Sequence, residues 1–334
     1  MKNKILKSYM IPGIVSVIVS VVPFVLIQFG LLNGYNAQIL IMCAINAIMA
    51  LSVNMICGIT GQLSLGQAGF MAIGAYSTII LNETFGIPLV VAILIAAIIT
   101  AIFGFLIGFP TLKLEGDYLA IVTLGFGEII RVILVNLKKI TGGPNGKQFN
   151  TNLTFFDGPA FFVITLVLIL IIIFVQNFIR STYGRAILAV REDEVAANAN
   201  GVSVFKYKMI GFVIASFIAG IGGALYVCRI GFIKPDQAAF TKSIDYLIFV
   251  VLGGMGSTTG SILSAYVLTY LQEVLRFLKD FRLLIYPVVL IIVMIFRPQG
   301  LLGTKELSFA KLPSQVKSYV QKIKDRKNKD KEPK

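Results

Sequence analysis

Long apolar runs recur along almost the whole sequence, and they constrain the fold of this chain more than any other feature. A helix needs about 20 predominantly apolar residues to cross the hydrocarbon core of a bilayer. Two of the runs, Gln62–Leu81 and Ser243–Gly256, are rich in glycine or short. Each of these two is either a full span or a broken or re-entrant helix. We therefore predict an all-α polytopic membrane protein with about ten (8–10) transmembrane helices. The ten predicted spans are Ile11–Leu32, Gln38–Cys57, Gln62–Leu81, Ile87–Phe109, Tyr118–Leu137, Pro159–Phe178, Met209–Ile230, Ser243–Gly256, Thr259–Arg276 and Leu284–Phe296.

The amino-acid composition excludes a soluble enzyme. Of the 334 residues, 57% are hydrophobic and 14% are charged, against about 25% charged residues in a typical soluble domain. A single soluble core stops growing at roughly 250–300 residues, so a chain of this composition cannot hide its apolar surface from water. A bilayer accepts that surface.

The basic residues lie between the apolar runs and predict the orientation of the chain. The net charge is +14, from 30 Lys and Arg against 16 Asp and Glu. Basic residues concentrate before the first run, in the loop 180–208 and after Gly303. An even number of spans places all three segments on one side, which the positive-inside rule makes cytoplasmic. We expect no nucleic-acid partner, because this charge pattern is that of a membrane protein.

These features divide the chain into three parts. Residues 1–10 form a cytoplasmic N-terminus, residues 11–303 a transmembrane domain with the cytoplasmic loop 180–208, and residues 304–334 a basic cytoplasmic tail. The lysines before the first apolar run resemble a signal peptide, but that run is too long and lacks a small-residue cleavage site, so we expect a retained span. The tail is either a solvated segment or one that contacts anionic membrane lipid.

The residue types that support most enzymatic chemistry are missing. The sequence has no histidine, and Cys43, Cys57 and Cys228 lie singly in apolar runs, so neither a metal site nor a catalytic constellation is predicted. The glycine-rich segment 141–148 lacks the hydroxyl residue that follows the lysine of a nucleotide-binding loop, and it is predicted to form a turn cluster. We predict no catalytic residue, no metal ligand and no cofactor.

The loop Gly184–Lys208 is predicted to carry a short helix outside the membrane. Its Ala, Leu, Arg and Glu residues favour one helix over Arg185–Asn200, with Gly201 as the residue that ends it. The surface combines small alanines with charges of both signs, whereas a helix that lies on lipid has a basic face and bulky apolar residues. The helix is therefore either a docking surface for another protein or a solvated connector.

Two glycine-rich clusters fall within predicted spans. In the first, Gly58–Phe70, the polar residues Gln62, Ser64 and Gln67 accompany the glycines. Irregular backbone at this depth is tolerated only where it is buried or lines a cavity, so these three side chains either face a transport pathway or lie in a tight helix crossing. The second cluster is Gly253–Gly256. Gly66 and Ala75–Tyr76, in and after the first cluster, match Gly256 and Ala265–Tyr266 in spacing, but the match is too short to establish an internal repeat.

One pair of charges lies inside the fifth predicted span. Glu128 and Arg131 are three residues apart, so they can lie on one face of a helix. Charges within a membrane are costly and are usually paired. The pair is either a pathway-lining or gating element, or a structural ion pair.

Six stretches of the sequence together resemble a known family. They are Thr60–Phe70, Gly116–Arg131, Thr141–Gly146, Gly184–Gly201, Val251–Gly256 and Arg297–Gly303. Their residues and their order resemble the permease subunits of bacterial ABC importers for branched-chain amino acids, of the LivM type. One departure is Gln67, where the family often has His, and this weakens any role carried over to that side chain.

The resemblance implies a type II ABC importer-like permease in a bacterial cytoplasmic membrane. The loop 180–208 is similar to the coupling loop of ABC permeases, which docks on separate ATPase subunits. A second homologous permease subunit and an extracytoplasmic substrate-binding protein are further implied partners, and the chain itself is not expected to be an enzyme. In the loop, Glu194, Ala196, Ala197 and Gly201 match the coupling motif, and Gly184, Arg185, Arg191 and Glu192 belong to the same stretch.

Other functions stay open on the sequence alone. Related ABC permeases carry urea, short amides or other amino acids. A secondary transporter or channel would work without an ATPase, but it would favour several midplane carboxylates, which this chain lacks. A membrane-embedded enzyme is disfavoured because the sequence has no histidine and no cluster of acids with cysteine.

Overall fold

A computed structural model of the chain describes residues 34–114, 116–149 and 160–277, together with positions 287, 288, 291, 295 and 300. The predicted span Ile11–Leu32, most of Leu284–Phe296 and the tail 304–334 lie outside these residues. Helices form almost all of the regular structure of the described part. The α-helices are α1 Gly34–Val53, α2 Gln67–Glu83, α3 Leu89–Thr111, α4 Asp117–Asn136, α5 Lys138–Thr141, α6 Ala160–Arg180, α7 Thr182–Glu192, α8 Glu194–Ala199, α9 Val204–Ile230, α10 Phe240–Gly253 and α11 Thr258–Val274.

Five helical segments of the described part are long and apolar enough to cross a membrane, which confirms the all-α polytopic class. An apolar stretch in lipid must pair its own backbone groups, and a helix does so within a single segment. Three more predicted spans correspond to α2, α10 and α11, which have 17, 14 and 17 residues, fewer than the about 20 that a full crossing needs. The five long segments are Tyr35–Ile59, Leu89–Thr111, Asp117–Asn136, Phe161–Arg180 and Val204–Ile230.

The glycine-rich run predicted as Gln62–Leu81 is broken at its start. The first helix continues through a π-helix, Asn54–Ile59, and residues 60–66 are non-helical before α2 begins. We call residues 60–66 the break. Residues 254–257 connect α10 to α11, and we call them the α10–α11 turn. Of the alternatives left open for the third predicted span, an interrupted helix is the one observed.

The central helix of the bundle is α9. Its small buried glycines face different neighbours, since Gly222 meets α1, Gly223 meets α2 and Gly220 meets α3. Small residues allow these three helices to pack closely against it. Phe212 fills space between these helices and meets Phe70 of α2 edge to face, with 5.7 Å between the ring centroids.

The long helices differ in how much of their surface the chain itself covers. Within an 18-residue apolar stretch of each segment, 83% of the residues are buried in α1 with the π-helix and 72% in α9, against 33%, 28% and 28% in α3, α4 and α6. Exposed side chains on the outer three helices are largely aliphatic or aromatic, such as Leu94, Ile121 and Leu170. Surface of this kind is unfavourable in water and is suited to lipid or to an apolar protein neighbour.

The two ends of the bundle carry different connections. One end carries α7 and α8, between α6 and α9, and we call it the loop end. At the opposite, far end, the strand β1 Lys147–Gln148 pairs antiparallel with β2 Phe232–Ile233, and Lys147 forms an ion pair with Glu83 at 3.1 Å. The segment 141–148 contains three glycines at positive φ, which agrees with the predicted turn cluster.

Candidate functional site

The loop between α6 and α9 contains two helices, so our prediction of a single helix over Arg185–Asn200 is wrong. Asp193 separates α7 from α8 because its backbone is extended, with φ −157° and ψ 110°. Its carboxylate accepts hydrogen bonds from the amides of Val195 and Ala196, both at 2.9 Å. A side chain that caps a new helix in this way competes with continuation of the preceding one.

Gly201 ends α8, as predicted. Its φ is +79°, and its amide donates to the carbonyl of Asn198 at 2.9 Å while the amide of Val202 donates to Ala197 at 3.0 Å. These two bonds form a Schellman motif. A Cβ added at Gly201 would meet nothing within 4 Å, so the left-handed backbone angle, and not crowding, favours glycine here.

The predicted coupling-loop residues do not share one surface. The most exposed apolar side chain of the loop is Val195, at 80%, which the sequence analysis did not single out. No sequence pattern indicates this position, because the exposure of one aliphatic residue depends on how α8 packs. Arg185, Glu192, Ala196 and Gly201 are exposed, Arg191 and Glu194 are half-buried, and Gly184 and Ala197 are buried.

An ion pair ties α8 to the start of α9. Nζ of Lys208 lies 2.5 Å from Oε1 of Glu194, and the Lys208 side chain is only 10% exposed, against 44% for Glu194. A nearly buried ammonium needs a compensating charge. Glu194 therefore links α8 to α9 within the chain.

Arg191, in the last turn of α7, points toward the membrane helices. Its Nη1 donates to the carbonyl of Gly58 at 2.5 Å, at the end of the π-helix, where carbonyl groups lack partners within the helix. A cavity of about 360 Å³ lies beside this contact, and its lining includes Ile59, Leu188 and Met255. Arg191 is thus an internal link and not part of the outer surface of the loop.

Hydrogen bonds from three elements hold the break in place. The amide of Gln62 bonds back to the π-helix at 3.1 Å, and the amide of Leu65 donates to Oγ1 of Thr123 in α4, also at 3.1 Å. The amide of Ala68, in the first turn of α2, donates to Oγ of Ser243 in α10 at 3.0 Å. The break is therefore a defined conformation that α4 and α10 support.

Buried polar atoms without partners concentrate at the break. Gln62, Ser64 and Gln67 are 4%, 2% and 1% exposed. Among the described residues, both amide atoms of Gln62, Oγ of Ser64 and the amide nitrogen of Gln67 have no hydrogen-bond partner. More than about 90% of buried polar groups in native proteins are paired. This cluster is therefore suited to receive water, a solute or another subunit.

Asn54 also carries a buried polar atom without a partner, and it was not among the predicted site residues. Its side chain is fully buried in the π-helix, and its Oδ1 accepts from the amide of Gly256 in the α10–α11 turn at 2.9 Å. Its Nδ2 has no partner in the described part of the chain. Its place inside an apolar run could have indicated this contact, because a side-chain amide in a membrane helix needs a hydrogen-bond partner.

Glu128 and Arg131 form the expected pair, with 2.6 Å between Oε2 and Nε. The other carboxylate oxygen of Glu128 accepts from the amide of Phe240 at 3.1 Å, where a negative charge favours the start of α10. These contacts fit the structural alternative, and a pathway role for the pair stays a prediction. No cluster of His, Cys, Asp or Glu suited to a metal ion occurs among the described residues.

The chain is similar to known transport proteins over most of its length. A family profile described as branched-chain amino acid transport system / permease component matches residues 35–297. The high-affinity branched-chain amino acid transport system permease protein LivM of Salmonella typhimurium is 38% identical over 296 residues, which cover 80% of this chain and 70% of that protein.

Two further relatives carry related descriptions. The LivM protein of Escherichia coli, with the same description, is 39% identical over 284 residues, 76% of this chain and 67% of that protein. A probable branched-chain amino acid transport permease protein LivM of Methanocaldococcus jannaschii is 26% identical over 327 residues, 81% of this chain and 94% of that protein. No solved structure matches the chain.

Proposed function

The chain belongs to the family of branched-chain amino acid transport system permease components, and from this membership we propose that it is one permease subunit of an ATP-driven ABC importer. The cargo is a branched-chain amino acid, and the membrane is the bacterial cytoplasmic membrane. ATP is hydrolysed on separate ATPase subunits, since the relatives are described as permease proteins. The observation that carries the proposal is the capped, two-helix loop at one end of the bundle.

The outer surface of α8 suits docking on an ATPase subunit. Val195 exposes an aliphatic side chain between the exposed residues Asp193 and Ala196, and burying a valine side chain fully is worth about 1.5–3 kcal/mol. The Asp193 cap, the Gly201 turn and the bond between Glu194 and Lys208 hold this surface in one shape. A pre-organised surface loses little conformational freedom when it binds.

The edge of the break supports a second permease subunit and a transport pathway. Gly61 and Leu63 are exposed, and their amides donate no backbone hydrogen bond within the described residues. Irregular backbone in a membrane must be covered by protein or line a water-filled cavity, because lipid cannot pair it. In our proposal the second subunit covers this edge, and the unpaired groups of Gln62, Ser64 and Gln67 offer donors and acceptors to the polar end of the substrate.

Transport then follows from movement of the docked loop. Closure of the ATPase subunits on ATP displaces α7 and α8, and the two membrane halves rock so that the pathway opens alternately to each side. An extracytoplasmic binding protein delivers the substrate and dominates the choice among amino acids. The chain binds no cofactor of its own in this scheme.

The test is assembly and uptake with the partner subunits. We expect the chain to co-purify with an ATPase subunit, and the reconstituted complex to take up radiolabelled leucine only with ATP, without competition from urea. Val195→Arg is expected to abolish co-purification, because a charge replaces the apolar contact. Phe85→Arg is the matched control, since Phe85 is 68% exposed near the far end of α2, and its co-purification stays unchanged. Co-purification of Val195→Arg at the normal level would contradict the docking surface.

A further inference from the structure

One side chain of the loop, Arg191, meets both the break and the α10–α11 turn. Its Nη1 donates to the carbonyl of Gly58 at 2.5 Å. A Cβ added at Gly61 in the break would lie 2.9 Å from Cγ of Arg191, and a Cβ added at Gly256 in the turn would lie 3.0 Å from its Nη1. The arginine is therefore enclosed between the two segments along its length.

The glycines on either side leave the space that the arginine occupies. Gly61 and Gly256 both have positive φ, at +71° and +90°, and a Cβ at either position would crowd Arg191, at its Cγ for Gly61 and at its Nη1 for Gly256. A position that combines a left-handed backbone with such a short contact accepts little besides glycine. Both glycines belong to the glycine-rich clusters of the sequence, and their packing around Arg191 gives a common reason for the two clusters.

The break and the turn are also joined to each other at this point. Asn54 accepts from the Gly256 amide at 2.9 Å, and the backbone at Gly58 lies directly against Gly256. A displacement of Arg191 therefore acts on the π-helix, the break and the turn together. The cavity of about 360 Å³ beside Arg191 leaves space next to α7, which a close-packed junction would not provide.

From this junction we infer that Arg191 is the positioning residue that transmits movement of the ATPase-docked loop to the break. The inference rests on the proposed function and adds the route of coupling to it. A guanidinium suits this role because it is always charged and presents several donors in a rigid plane. The merely structural alternative is that Arg191 only caps the π-helix, in which case its removal weakens the fold without separating hydrolysis from transport.

The experiment compares uptake with hydrolysis in the complete complex, reconstituted in proteoliposomes with its ATPase, second permease and binding protein. Arg191→Gln removes the charge and keeps a polar side chain of moderate length. Gly61→Ala leaves the guanidinium intact and pushes on its stem from the other side. Lys113→Gln is the control, because Lys113 is an exposed cation in the connection between α3 and α4 that stacks on Phe109 and does not contact the junction.

We expect the number of leucine molecules taken up per ATP hydrolysed to fall about tenfold or more in Arg191→Gln, a factor that corresponds to about 1.4 kcal/mol, while the complex assembles and hydrolyses ATP. Gly61→Ala is expected to lower the same ratio, and the double variant to be no worse than the more impaired single variant, because both changes act on one contact. Lys113→Gln keeps the ratio of the unmodified complex.

Three results would overturn the inference. The first is an unchanged ratio of leucine uptake to ATP hydrolysis in Arg191→Gln. The second is that Arg191→Gln loses uptake and hydrolysis in parallel because the complex no longer assembles. The third is that the losses of the two single variants add up in the double variant. Failure of the unmodified complex to couple uptake to ATP would instead refute the proposed function.

Discussion

Replacing Gln62 tests whether its buried side chain serves transport or stabilises the fold. Its side chain is 4% exposed, and neither amide atom has a hydrogen-bond partner among the described residues. Burying an amide without partners costs about 1–3 kcal/mol in proteins. Methionine is unbranched, of nearly the same length, and has only a weakly accepting sulfur. Gln62→Met is therefore expected to stabilise the purified chain by about 1–3 kcal/mol.

The assay has two parts. The first is the thermal midpoint of the chain in detergent, followed as the fraction that stays monodisperse in size-exclusion chromatography. With about 2 °C per kcal/mol for a chain of this size, Gln62→Met should raise the midpoint by about 2–6 °C. The exposed Gln148 provides the control, and Gln148→Met should not change the midpoint. The second part is ATP-driven leucine uptake by the assembled complex, which we expect Gln62→Met to reduce.

The two measurements can refute the reasoning separately. A lower midpoint would mean that the side-chain amide of Gln62 has a hydrogen-bond partner in the folded chain, such as a bound water. A raised midpoint with full uptake would mean that the amide is unpaired but takes no part in transport.

Two further predictions concern the supports of the site. Ser243→Ala leaves the backbone amide of Ala68 without its 3.0 Å acceptor and is expected to destabilise the chain by about 1–3 kcal/mol. The control is Ser203→Ala in the same thermal assay. Ser203 is exposed and its side chain does not cap α9, so this change is expected to be neutral. Glu194→Gln leaves the Lys208 ammonium nearly buried and uncompensated, and we expect a loss of about 1–2 kcal/mol, less than for a fully buried pair because Glu194 is 44% exposed. The double change with Lys208→Met should recover most of that loss, and no recovery would show that the pair's charge is not what matters.

The long outer helices were predictable from the sequence. The helices α3 and α4 begin and end within two residues of the predicted spans Ile87–Phe109 and Tyr118–Leu137, because lipid imposes both the apolar composition and the helical hydrogen bonding. Gly201 was predictable for a local reason, since glycine is the residue that best adopts the left-handed end of a helix.

The parts that were missed depend on contacts between distant segments. Averaged helix propensity predicted one helix through Asp193, but a single carboxylate that caps two amides outweighs that average. The partnership of Glu194 with Lys208, and of Asn54 with Gly256, joins residues whose proximity no local pattern encodes. The start of the break was missed for a different reason, because hydropathy measures the apolar content of a run and not where its backbone leaves the helix.

The exposed edge of the break also bears on the life of the chain before assembly. In our proposal a second permease subunit covers the exposed backbone of Gly61 and Leu63, so a newly inserted chain without that subunit leaves these backbone groups uncovered. We expect such an orphan subunit to be short-lived, because membrane proteases act on segments that open readily. The abundance of this chain in the cell would then follow the supply of the subunit that covers the edge, which keeps the stoichiometry of the complex balanced without a separate regulator.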